Sequence, residues 1–155
     1  MNIGIVVYSQ TGHTLEVCET LRDRLAGQGH EVQVERVTVV GERTPKTQTF
    51  ELEAVPEIGS FDAVVVASYV EAFSLCQVMG RYLKQIKPLE GKRVACLVTQ
   101  QFPYPWMGGS RAVRQMKKLC HARGATIAGS AVVNWAKSRR EKTMAQAIDR
   151  LGGLF

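Results

Sequence analysis

A chain of 155 residues is the size of one domain and can bury a full core without disulfide or metal staples. With 45% hydrophobic and 22% charged residues it has the composition of a soluble globular protein. No stretch approaches the ~20 apolar residues of a membrane helix, and the apolar run at residues 3–8 is too short, and lacks the basic flank, for a secretory leader. The net charge is +6, and its distribution is uneven: residues 91–140 hold ten Lys and Arg and no acid, while all fourteen acids lie before or after. Such a basic half admits nucleic acid as a partner, but no nucleic-acid motif accompanies the charge.

Residues 3–8 read as a buried strand. Thr14, Cys18, Leu21 and Leu25 then recur at helical spacing and stop at Gly27 and Gly29. Residues 31–37 alternate, Val32 and Val34 against Glu31, Gln33 and Glu35, which predicts a half-exposed edge strand. Residues 38–60 carry no helical period and read as an extended excursion in place of a helix. Residues 63–67 are a second continuous apolar strand, followed by a loop at 68–74 and a helix marked by Leu75, Met79, Tyr82 and Ile86. Residues 94–98 form a third buried strand, and a loop at 99–109 leads into a helix marked by Val113, Met116 and Cys120. Residues 127–134 are the last strand; Met144, Ile148 and Leu151 mark the last helix. Strand and helix alternate throughout, which predicts an α/β three-layer sandwich with a five-stranded parallel sheet and right-handed crossovers. The alternating second strand belongs at an edge, which suits the order 2-1-3-4-5. No internal repeat or linker divides the chain, so residues 1–155 read as a single domain. The four cysteines form no C-x-x-C and sit in apolar patterns, as reduced thiols of a cytoplasmic protein do.

The chemistry concentrates after the first strand, in Ser9-Gln10-Thr11-Gly12-His13-Thr14. Strand, tight polar turn and helix start form a phosphate-binding geometry, because first-turn N–H groups and the helix dipole face the anion. Three hydroxyls can converge there, and Gly12 permits positive φ or close backbone approach. There is no G-x-x-x-x-G-K-[ST] and no G-x-G-x-x-G, and the loop lacks the Cys of a cysteine phosphatase. A mononucleotide phosphate site remains, against the plainer alternative of a helix-capping turn that binds nothing.

This stretch resembles the S/T-x-T-G-x-T phosphate loop of flavodoxins, and the predicted strand order is the one that family exemplifies. The resemblance runs the length of the chain and is to the short-chain form. It implies FMN, its 5′-phosphate in the first loop and its ring between the loops after the third and fourth strands. Those loops hold Ser68, Tyr69, Val70, Glu71 and Phe73, then Thr99, Gln100, Gln101, Phe102, Tyr104, Trp106, Gly108 and Gly109. Five aromatics suit a flat apolar ring, though the spacing does not say which one stacks. Glu71 is the only acid in either loop; it either tunes the ring or stands in solvent. Gly108-Gly109 either admits the backbone to the ring or only loosens the start of a helix, and His13 either donates to the phosphate or is exposed.

No side chain stands out as acid, base or nucleophile, which favours an electron carrier. The alternative is an NAD(P)H-dependent quinone or flavin oxidoreductase using the same FMN, and a third reading is a binding module without cofactor. Flavodoxin carriers are usually acidic, so the charge of this chain is a departure that leaves the partner open: a redox protein, NAD(P)H, or a second copy in a homo-oligomer.

Overall fold

The structure, a computed structural model, describes residues 1–43, 49–102 and 107–155. The described residues form six strands and four helices in the order β1 (Asn2–Val7), α1 (His13–Gly27), β2 (Glu31–Arg36), β3 (Ala63–Glu71), β4 (Ser74–Leu75), α2 (Gln77–Gln85), β5 (Arg93–Gln100), α3 (Gly109–Ala122), β6 (Thr126–Asn134) and α4 (Arg140–Gly152). The parallel order is β2-β1-β3-β5-β6, and the two-residue β4 pairs antiparallel with β3. Without β4 this is the 2-1-3-4-5 order expected from the sequence.

The sheet divides the core into two clusters. One face packs Val6, Val64, Val66, Val94, Cys96 and Val98 against Met79, Tyr82, Leu83, Val113 and Met116 of α2 and α3. The other packs Ile3, Ile5, Val7, Val65 and Leu97 against Val17, Leu21, Leu25, Ile148 and Leu151 of α1 and α4. Alternate residues of each central strand feed opposite clusters, which is why these strands read as unbroken apolar runs. Among the described residues β2 pairs with β1 alone and exposes Glu31, Gln33 and Arg36, as an edge strand should.

Among the described residues between β2 and β3 there is no helix. An isolated antiparallel bridge joins Val39 to Leu52, flanked by bonds from the Val40 amide to the Glu51 carbonyl and from the Glu53 amide to the Thr38 carbonyl. Residues 38–40 and 51–54 therefore run antiparallel to one another rather than as one plain extended segment; residues 44–48 of the expected excursion lie outside the described residues.

Two loop boundaries differ from the sequence expectation. Residues 68–71 continue β3, and Val70 and Glu71 pair with Leu75 and Ser74. The predicted loop is thus a tight hairpin around Ala72 and Phe73, at φ 51° and 60°. Two successive positive φ values characterise the favoured two-residue hairpin turn, which normally selects Asn or Gly; Ala and Phe hid it. Similarly, Thr99 and Gln100 belong to β5 rather than to the loop that follows. Among the described residues no helix is long and apolar enough to cross a membrane. All four cysteines are buried and free.

Candidate functional site

β1 and β3 are neighbours, yet the chain leaves β1 toward β2 and leaves β3 toward β5. The crevice at their carboxyl ends is the topological switch point where open α/β sheets hold ligands. A cavity of about 200 Å³ opens there, lined by Gln10, Thr11, His13, Tyr69, Val70, Thr99, Gln100, Gln101 and Trp135. Eight of these nine were singled out from the sequence. A wider groove of about 560 Å³ lies between α2 and α3, lined in part by Phe50, Leu75, Arg81, Lys84 and Lys118; no residue of the first loop reaches it.

The first loop is preorganised from within. Gly12 is the residue before α1, at φ 90°, with nothing within 4 Å of where a Cβ would stand. Its conformation needs glycine, and the space beside it is open. The buried Ser9 accepts hydrogen bonds at Oγ from the amides of Gly12 (3.2 Å) and Leu15 (3.4 Å), leaving its own proton to donate. Thr14, 1% exposed, shares a 2.8 Å hydroxyl–hydroxyl bond with Thr99 and so ties α1 to β5. Thr11 is exposed. The N–H groups of His13 and Thr14 are in the first helical turn, where no intrahelical acceptor exists.

Two aromatic stacks border this loop. The His13 ring lies 4.4 Å from that of Trp135, at 15°, and His13 Nδ1 is 3.2 Å from Gln101 Nε2. Arg140 covers Trp135 at 4.6 Å and donates from Nη2 to its carbonyl. Phe73 and Phe102, both exposed, stack at 5.4 Å and 14°. Tyr104 and Trp106 lie outside the described residues.

The remaining candidates take other places. Ser68 is fully buried in β3, and its Oγ has no hydrogen-bond partner among the described residues. Gly108 and Gly109 face protein rather than the cavity. Gly108 has φ 116°, and a Cβ there would stand 2.6 Å from Val70 Cγ1 and 2.9 Å from Phe73 Cα; at Gly109 it would strike the Gln100 side chain. These glycines seat the β3–β4 hairpin and Gln100 on the start of α3.

Glu71 is neither in solvent nor in the cavity lining. It is buried and bound by both terminal nitrogens of Arg43, at 2.8 and 2.6 Å. Arg43 is itself 4% exposed, and its bond to Glu71 raises its already high pKa. Tyr69, whose pKa is raised first by burial, keeps its proton and donates it to Gln10 Oε1 at 3.0 Å.

Sequence reasoning missed Trp135 and Arg43. Trp135 had a signal: it directly follows the last apolar strand and so stands on the same sheet edge as the other loops. Arg43 had none, since its partner is 28 residues away across an aperiodic segment.

Chemically, the arrangement offers amide and hydroxyl donors at a helix N-terminus beside a narrow, partly aromatic slot. None of the described lining residues is Asp, Glu, Cys, Lys or Arg. Among the described residues no group of His, Cys, Asp and Glu is placed to hold a metal ion.

The chain matches no family model and no curated protein. Solved structures do resemble it. The flavodoxin of Streptococcus pneumonia TIGR4 superposes over 100% of both chains with a TM-score of 0.69 at 19% identity. A short-chain flavodoxin associated with a non-canonical PDU bacterial microcompartment covers 99% of this chain and 95% of its own, with a TM-score of 0.70 at 15% identity. Oxidised flavodoxin 1 of Bacillus cereus covers 99% and 96%, with a TM-score of 0.62 at 15% identity. Strand order, crossovers and these end-to-end superpositions agree: the chain has a flavodoxin-like fold.

Proposed function

We propose that this protein binds FMN non-covalently and serves as an electron carrier. The observation that carries the reading is the open first loop. Gly12 is held in its left-handed conformation with open space beside it, flanked in the chain by the first-turn amides of α1 and by the Ser9 and Thr11 hydroxyls. Such donors suit a phosphate dianion with no cation needed in the lining. Tyr69 and Trp135 give the adjoining slot the apolar, aromatic walls that a flat ring system suits.

When bound, the flavin supplies reversible electron uptake and release. The chain's own residues orient it: amides and hydroxyls fix the phosphate end, and the Thr14–Thr99 bond holds the loop against β5. Among the described lining residues the acid/base group is His13, which is stacked on Trp135 and bonded with Gln101, with no carboxylate, thiol or amine beside it; this favours a carrier over an enzyme with chemistry of its own. A nicotinamide-dependent oxidoreductase is the competing use of the same cofactor.

FMN should bind more tightly than riboflavin, and Ser9→Ala should weaken FMN alone by roughly 1.5–3 kcal/mol, the scale of a hydrogen bond to a charged group. Calorimetric titration of both flavins into the apoprotein measures this. Equal affinity for the two would remove the phosphate assignment. Anaerobic mixing with NADPH separates the two uses: a carrier is reduced slowly and without saturation.

A further inference from the structure

Arg43 comes from the ribbon between β2 and β3, outside every loop that lines the cavity, yet it bonds two of the elements that do. Its carbonyl accepts from Gln10 Nε2 at 2.5 Å, which anchors the first loop. Its guanidinium holds Glu71 in a two-point ion pair, which anchors the last residue of β3 before the Ala72-Phe73 turn. Gln10 closes the ring by accepting from Tyr69, a residue of β3 two positions before Glu71. Phe50 packs on the guanidinium at 5.1 Å, so the returning arm of the ribbon covers the pair.

A buried ion pair is a poor way to add stability, because removing two charges from water offsets most of their attraction. A pair of apolar residues would fill the same space. What the charged pair adds is direction: a two-point Arg–carboxylate contact fixes both position and angle. The turn it holds is strained, since two non-glycine residues sit at positive φ, and such strain persists only where the surroundings enforce it.

We infer that Arg43 is a positioning residue for the flavin site, joining the phosphate loop to the β3–β4 hairpin through Gln10 on one side and Glu71 on the other. The inference rests on the flavin reading for its ligand but not for its mechanics. Docking of the ribbon sets the separation of the two walls of the cavity, and release of Arg43 loosens both together.

The test uses Arg43→Lys, which keeps the charge and loses the two-point contact, and Gln10→Met, an exposed position that does not threaten the fold. Two readouts are taken: the ratio of FMN to riboflavin affinity, and the hydrogen exchange of the amides of Gly12, His13 and Thr14 in flavin-free protein. Each variant should lower the ratio about tenfold, the equivalent of one lost orienting hydrogen bond, and should speed exchange of the loop amides. The double variant should be little worse than either single one, because both break the same chain of contacts. Arg24→Lys, in an exposed pair with Asp149, should change neither readout. If Arg43→Lys lowers thermal stability while the folded protein keeps its affinity ratio and its loop exchange, Arg43 is merely structural and the inference falls. If the wild type binds neither flavin but loop exchange still rises in both variants, the flavin reading falls and the coupling through Arg43 stands.

Discussion

Thr14 and Thr99 illustrate how little separates a binding hydroxyl from a structural one. The spacing of the first loop assigns Thr14 to a phosphate, whereas its hydroxyl lies buried against Thr99 from another strand. Removing either hydroxyl leaves the other, buried, without this bond. Thr14→Val should therefore destabilise the fold by about 1–3 kcal/mol, and Thr99→Val by a similar amount. The double variant should cost much less than their sum, because neither hydroxyl is then stranded. Urea denaturation of the four proteins measures the cycle. Strict additivity would mean that the two hydroxyls do not meet. Glu71 makes the same point from the other side: its charge was legible in the sequence, its environment was not. Which partner a polar side chain finds depends on residues 28 or 85 positions away, and local pattern carries no record of them.

At the level of elements, the β3–β4 hairpin is the place where the chain departs furthest from its own propensities. Ala72 at φ 51° holds a conformation that costs an L-residue about 1–2 kcal/mol and that Asn tolerates better. Ala72→Asn should raise stability by about 0.5–1 kcal/mol, seen as a higher denaturation midpoint at unchanged slope. A lower midpoint would show that the methyl group packs where Asn cannot. This hairpin also marks the limit of what the sequence reveals about the fold. The long parallel strands were legible because burial on both faces forces continuous apolar runs, and the helices because one face alone is buried. The hairpin was not, because its turn lacks Gly and Asn and its second strand is two residues long. The antiparallel bridge between Val39 and Leu52 escaped for a related reason: Thr49-Phe50-Glu51-Leu52-Glu53 alternates only briefly, and Val39-Val40-Gly41 opposite it does not. Of the residues that line the cavity, those of the first loop and those ending β3 and β5 were singled out from chemistry and position; Trp135 was overlooked although its position gave it away, and Arg43, behind the lining, was beyond reach.

For the molecule as a whole, charge is the feature that the flavodoxin resemblance does not account for. Among the described residues, Lys92, Arg111, Arg114, Lys117 and Lys118 form no ion pair with an acid, and Arg111, Arg114 and Lys118 stand exposed on α3, the helix that begins beside the hairpin. Their field should draw anions toward that side. If the protein takes up flavin as proposed, reoxidation of the reduced form by anionic ferricyanide should slow several-fold as the screening length falls from about 30 Å at 0.01 M salt to about 3 Å at 1 M. A neutral quinone should be indifferent to salt, and Arg111→Gln with Arg114→Gln should remove most of the dependence. Stopped-flow absorbance reads all three, and equal salt response for both acceptors would detach the basic face from electron transfer. The sheet order has a consequence of another kind, for the chain as it is made. β1 is synthesised first, yet it lies inside the sheet and pairs with β3 from Ile3 to Ala63, about sixty residues later. At roughly 5–20 residues per second, one edge of an apolar strand waits about 3–12 s for its neighbour to leave the ribosome. During that interval β1 has only β2 of this sheet to pair with, so its other edge stays open to unintended strand pairing until β3 is made.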